Sequence, residues 1–213
     1  MKMYIPASFR ETDPARLHEF IEQHSFGILL THRDAESVAS HLPFVLDRNS
    51  GTQGTLLGHV ARANDQWKGI DGSSVLVVFH GPHAYISPQW YEATNVVPTW
   101  NYVAVHVYGR LRLLADNSQA LAALRRTVAE YEPDSPAGWS INEPDAEFVE
   151  GLLEAIVGFE IEIERIEGKW KLSQNHDKER RATVVRALQE AGGEQREQIA
   201  ELMSKACRAK RDR

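Results

Sequence analysis

The chain has 213 residues, 42% of them hydrophobic and 25% charged, which excludes a disordered tail, a collagen-like fibre and a small disulfide scaffold. About 70% of the unfolded surface of such a chain can be buried, so the core needs no covalent staple. The net charge is −6, divided into +3 from His176 to Arg213 (ten basic, seven acidic) and −9 on the remainder; that leaves no concentrated basic face for nucleic acid.

Asp13-Pro14 reads as an N-cap and first helical position, with Leu17, Phe20, Ile21 and His24 recurring at helical spacing. Gly27 to Thr31 suits a buried strand, Arg33 to Ser37 a turn, and Val38 to Asp47 an extended segment interrupted by Pro43. The polar run Arg48 to Gly54 is a hairpin loop leading into Thr55 to Ala63. Ser74–His80 and Ala84–Ser87 form a further strand pair joined across Gly81-Pro82, and Val97 to Leu114 holds two strand segments bent near Gly109. Ser118 to Tyr131 is a helix with Leu121, Leu124, Val128 and Tyr131 on one face, ended by Pro133. Asn142-Glu-Pro144 caps a second helix striped by Phe148, Leu152, Ala155 and Ile156. Phe159 to Glu164 alternates strictly, as a strand wet on one side does, with Trp170 and Leu172 resuming it after a Glu167-Gly168 turn. Two helices, Glu179–Glu190 and Glu194–Ala206, close the chain around Gly192-Gly193. Short strands at hairpin spacing predict an α+β fold with an antiparallel barrel, residues 1–175 as one domain and 176–213 as a helical tail.

Phosphate-binding loops, the dinucleotide-binding glycine fingerprint and the nucleophile elbow are absent. The single cysteine, Cys207, cannot pair within the chain, as expected of a reducing cytoplasm, and is a poor nucleophile in a polar helix. No apolar run approaches the roughly 20 residues of a membrane span, so no membrane partner is expected. Polar and aromatic residues concentrate instead inside strand-like segments: Ser40-His41, His59, Arg62-Ala-Asn64, Trp67, His80-Gly-Pro-His83 and Trp100-Asn101. A structural metal or haem on His41, His59, His80 and His83 lacks a completing carboxylate and a ligand spacing. An anionic planar ligand uses the same residues better. Arg62 offers a fork for phosphate, Asn64 and Ser40 offer directional hydrogen bonds, and Trp67 and Trp100 offer flat apolar faces.

At these residues the chain resembles the PaiB family, the FMN-binding negative transcriptional regulators. The matching blocks are Met3-Tyr-Ile-Pro6 with Phe9, Ala39-Ser-His-Leu-Pro-Phe44, Gly58-His-Val-Ala-Arg-Ala-Asn64 with Gln66-Trp67, Phe79 to Pro88, Trp90-Tyr91, Val97 to Tyr102, and Lys169-Trp-Lys-Leu-Ser-Gln-Asn175. The resemblance implies a split β-barrel like that of pyridoxamine phosphate oxidases and flavin reductases, forming a homodimer with FMN in two interface grooves. It implies that Ser40 and His41 line the flavin edge and that His59, Arg62, Asn64 and Trp67 surround the ribityl phosphate. Trp100 and Asn101, or Lys171, Gln174 and Asn175, would come from later strands, on either subunit. Asp65 departs from the pattern, where relatives tend to have proline, and places an extra carboxylate beside the expected phosphate.

The resemblance also implies a regulatory role, with flavin as sensor or structural ligand and DNA or a regulatory protein as partner. The terminal helix pair has the outline of a helix-turn-helix, but Glu194, Glu197 and Glu201 on its second helix would repel DNA phosphate. An FMN-dependent oxidoreductase drawing on a reduced nicotinamide is the enzymatic alternative, with the cofactor carrying the chemistry. A haem- or metal-binding barrel is the third.

Overall fold

Helix α1 (Pro14–Gln23) starts on proline, whose fixed φ suits the first helical position and forfeits no hydrogen bond there. It buries Leu17, Phe20 and Ile21, and His24, just past its end, leans on Phe20 with ring centroids 4.3 Å apart. The structure, a computed structural model, describes residues 2–33, 35–132 and 139–208, without the side chains of 207 and 208. Pro133 and the side chain of Cys207 therefore lie outside the described residues.

The strands are β1 (Arg10–Glu11), β2 (Phe26–Arg33), β3 (Glu36–Pro43), β4 (Val45–Asp47), β5 (Thr55–Ala61), β6 (Ser74–Ile86), β7 (Thr99–Leu113) and β8 (Ile156–Lys171). They form one sheet in the order β3-β2-β6-β7-β8-β5-β4, with β1 on β8. β2 runs antiparallel to β3 and β6, and β5 antiparallel to β4 and β8. The β2–β3 hairpin is tighter than expected, because Arg33 already pairs with Glu36.

Three expected breaks are absent. β6 runs unbroken through Gly81-Pro82, β7 is a single strand of 15 residues, and β8 a single strand of 16 residues that passes straight through Glu167-Gly168. In β6 the buried positions shift parity at Gly81-Pro82, both of which are buried; such a slip is what a bulge leaves in a strand that continues.

The chain divides into two compact units, and the division does not fall at residue 175. One unit comprises 15–79 and 106–166. Its core joins Leu29, Leu56, Val77, Val107 and Ile161 to an edge-on aromatic cluster, with Phe44 5.6 Å from Phe79 and 6.3 Å from Phe159. Besides α1, it contains α2 (Asn117–Tyr131), capped by Asp116, and α3 (Ala146–Glu154). The expected stripe of α3 is rotated: Leu153 is buried, Phe148 is 59% exposed, and Ile156 already belongs to β8.

The other unit comprises 1–14, 80–105 and 167–213. It contains α4 (Lys178–Ala191) and α5 (Glu194–Arg208), joined across Gly192-Gly193. Val184 and Leu188 on α4, with Ile199 and Met203 on α5, are fully buried beside Val103, Val105, Ile86 and Leu172 of the same core. The terminal helices are therefore part of a core and not a solvated arm.

Gly109 has a packing reason: a Cβ there would sit 2.3 Å from the Glu162 carbonyl oxygen and 2.7 Å from Ile161 Cγ2. Gly109→Ala is expected to destabilise by about 3 kcal/mol, because backbone cannot yield as a side chain does. Gly151→Ala, inside α3 with nothing within 4 Å, is expected to stabilise by about 0.5–1 kcal/mol. Urea unfolding of the two variants checks the opposite signs.

Candidate functional site

In the 15–79/106–166 unit the chain leaves β5 at Ala61 and turns into a single 3-10 turn, Asp65–Trp67. Asn64 caps that turn: its Oδ1 accepts from Gln66 N at 3.0 Å, while its Nδ2 donates to Ser40 Oγ at 2.9 Å. Ser40 on β3 and Asn64 are thus brought together, as the shared-site reading requires. Gln66, which sequence reasoning gave no role, anchors the arrangement. Its buried Nε2 donates to Leu29 O at 3.2 Å, Thr31 Oγ1 at 3.1 Å and Val38 O at 3.2 Å, tying the turn to β2 and β3. Its Oε1 is enclosed with no hydrogen-bond partner.

Arg62 is placed differently from the expected phosphate fork. Nε donates to Glu154 O at 2.5 Å and Nη2 to Ile156 O at 2.7 Å, so the guanidinium binds carbonyls where α3 gives way to β8. Trp67 Nε1 in turn donates to Arg62 O at 3.0 Å. The carboxylate of Asp65 lies 2.6 Å from Lys68 Nζ, and that bond holds its pKa below the usual value. The charge that departs from the family pattern is therefore matched locally. His41 is exposed, 6.5 Å ring to ring from Phe26; His59 is half-buried on β5.

In the other unit Asn101 points inward. It is fully buried, and Nδ2 donates to Ser173 Oγ at 3.0 Å and toward Met203 Sδ at 3.4 Å. Ser173 Oγ also meets the Tyr91 hydroxyl at 2.8 Å. The amide of Asn101 is spent on hydrogen bonds within a core. Gln174 is likewise occupied, accepting from Leu172 N at 2.7 Å and donating to Trp170 O at 2.6 Å to close the end of β8. Trp100 is 53% exposed, and its ring lies 6.0 Å from those of His83 and Tyr85. Lys171 donates to Thr99 Oγ1 and, at 2.8 Å, to Trp100 O; burial and then Lys169 push its pKa down. Asn175 is exposed. An open cavity of about 710 Å³ lies against His83, Tyr85, Trp90 and Trp100 and the start of α5 at Glu194 to Arg196.

Among the described residues no group of three or more His, Cys, Asp and Glu side chains is placed to hold a metal ion, so the four-histidine reading finds no ligand set. No described helix is long and apolar enough to cross a membrane.

Burial is the first cause lowering the pKa of His59, His80 and His176; His83 and Arg180 add to it at the latter two. A histidine depressed in the native state favours folding above its unfolded pKa of about 6.5 and withdraws that contribution as pH falls below it. Stability is therefore expected to fall between pH 7.5 and pH 5, with a shallower slope in His59→Gln, read by urea unfolding across that range. Asn64→Ala is expected to cost about 1–2 kcal/mol at pH 7.5, and Asn64→Asp, which still accepts from Gln66 N, less.

A family model described as "Putative FMN-binding domain" matches residues 3–165. The chain is 37% identical over 204 residues to the Bacillus subtilis protease synthase and sporulation protein PAI 2, covering 94% of this chain and 96% of that one. An uncharacterized Aspergillus fumigatus protein is 31% identical over 242 residues, with 90% and 93% covered. The flavocytochrome Anf3 of Azotobacter vinelandii superposes with a TM-score of 0.58 at 15% identity, covering 82% of this chain and 75% of that one. The FAD and heme binding protein of Mycobacterium smegmatis also gives 0.58 at 15% identity, with 87% and 80% covered. These likenesses show the fold, a mixed α+β antiparallel split barrel with C-terminal helices. A match over most of the chain and near-complete coverage of the Bacillus relative place the chain in the PaiB-type family of FMN-binding-domain proteins.

Proposed function

We propose that this chain is a cytoplasmic homodimer that binds FMN and acts as a negative transcriptional regulator of PaiB type. The observation that carries the reading is the family match over residues 3–165, which takes in the hydrogen-bonded Ser40–Asn64 pair and Gln66. The chemistry of that cluster fits a phosphorylated flavin. Ser40 and Asn64 offer a hydroxyl and an amide, and the enclosed Gln66 Oε1 is an acceptor that lacks a donor. Lys68 is a cation beside the same turn, and His59 and Trp67 supply half-buried rings. With Arg62 Nε and Nη2 engaged by two carbonyls, Lys68 is the cation that this turn offers to a phosphate.

FMN supplies a ring that accepts electrons, and so a redox state that a regulator can report. The chain's own side chains bind and orient: hydroxyl and amide groups fix the polar tail, and aromatic faces exclude water from a planar ring. The first turn of α5 carries Glu194 and Glu197, which oppose a direct phosphate contact there, so regulation through a partner protein or another surface fits this chain better.

Purified protein loaded with FMN and desalted is expected to keep a flavin absorption band at about one flavin per chain. Light scattering is expected to give twice the 24.0 kDa chain mass. Loss of all flavin on desalting would overturn the cofactor assignment. Steady oxidation of a reduced nicotinamide above the free-FMN background would move the reading to an oxidoreductase.

A further inference from the structure

Arg181 lies in the opening turns of α4 and is only 6% exposed. Its Nε and Nη1 are both enclosed and have no hydrogen-bond partner. Nη2 is not among the enclosed atoms and is the end of the guanidinium that meets the surface. The carboxylate one turn back does not serve it: Asp177 Oδ1 accepts from Arg180 N at 2.9 Å, and Oδ2 lies 3.2 Å from Arg180 Nε.

A guanidinium cannot shed its proton to escape burial, and enclosing two of its nitrogens without a protein partner is a costly arrangement for a folded chain. The fold alone gives no reason for it. Arg181, Val184 and Leu188 are the buried positions of α4, so an apolar residue would continue the stripe without penalty. An energetic debt at one end of a side chain that opens to the surface at the other calls for an incoming counter-charge.

We propose that Arg181 is an anion-binding site that takes an oxyanion of the phosphate or carboxylate class at Nη2. That nitrogen shares a two-pronged edge with each of the other two, so an oxyanion at Nη2 lies beside Nε and Nη1 and offsets the charge they carry while they stay enclosed. The residue lies outside the stretch matched by the family model, and the site does not depend on flavin. Two sources supply the chemistry, a small phosphate-bearing solute or a carboxylate of a second copy of this chain.

Thermal unfolding of the full chain separates them. The parent, Arg181→Met and Arg181→Lys are compared in potassium chloride and in inorganic phosphate at equal ionic strength, each at low and high protein concentration. A solute site is expected to raise the parent's Tm on the order of 5 °C at a hundredfold excess of phosphate over Kd, and Arg181→Met is expected to lose that response. A carboxylate from a second copy gives instead a Tm that rises with protein concentration in chloride, again lost in Arg181→Met. Arg181→Lys keeps the charge without the fork and shifts the midpoint of either response at least tenfold; it carries the test should the methionine variant fail to fold. A parent that responds to neither phosphate nor its own concentration overturns the site, as does a response that the variants retain unchanged.

Discussion

A continuous strand can change the face it buries only by breaking its alternation, and two of the three strands that run through both compact units do so, whereas β7 keeps its odd-numbered side buried from Asn101 to Leu111. β6 buries Val75, Val77 and Phe79 in one unit, then Pro82, Ala84 and Ile86 in the other, so the buried parity turns over at Gly81-Pro82. β8 does the same, from Val157, Phe159, Ile161 and Ile163 to Gly168 and Trp170, through a half-buried stretch at 165–167. A side-chain period of two leaves no smoother way to redirect a continuous strand than to spend an extra residue. Proline at position 82 is tolerated where the regular alternation is already interrupted.

The polar residues inside these strands divide by what their hydrogen bonds already satisfy. Asn101, Ser173 and Tyr91 form a closed group in one core, and Gln174 closes a turn. Their partners lie within the folded chain, which is the usual condition for burying an amide or hydroxyl. Asn64 and Gln66 also do structural work, yet Gln66 Oε1 is left over. Such a cluster is pinned by its backbone contacts and still leaves one acceptor unpaired.

The legible parts of the sequence were those in which one local rule decides. α1 follows from Asp13-Pro14 and its apolar spacing, the β4–β5 hairpin from its polar loop, and the two last helices from Gly192-Gly193. Gly81-Pro82 and Glu167-Gly168 have the residue types of turns, and in both strands they mark a change in buried parity instead; a turn and a bulge look alike until the partner strand is known. The stripe assigned to α3 failed because periodicity in nine residues leaves the face ambiguous: Leu153 is buried while Phe148 and Leu152 remain open. Ser40 and Asn64 stand out by residue type, and nothing in their spacing of 24 residues says that they touch.

Arginine shows most plainly why residue type and placement need separate arguments. Arg62 sits in a polar motif where a phosphate fork is the natural expectation, and its donors go to Glu154 and Ile156 carbonyls that lie 92 and 94 residues away in sequence. Those carbonyls occur where a helix ends and a strand begins, a junction that produces unpaired acceptors and attracts a forked donor. Arg181 sits among Lys178, Glu179 and Arg180, a mixed run that reads as a solvated face, and only the packing of α4 turns it inward. The sequence marks where a guanidinium is; the carbonyls and carboxylates within its reach decide whether it braces the chain or waits for a ligand.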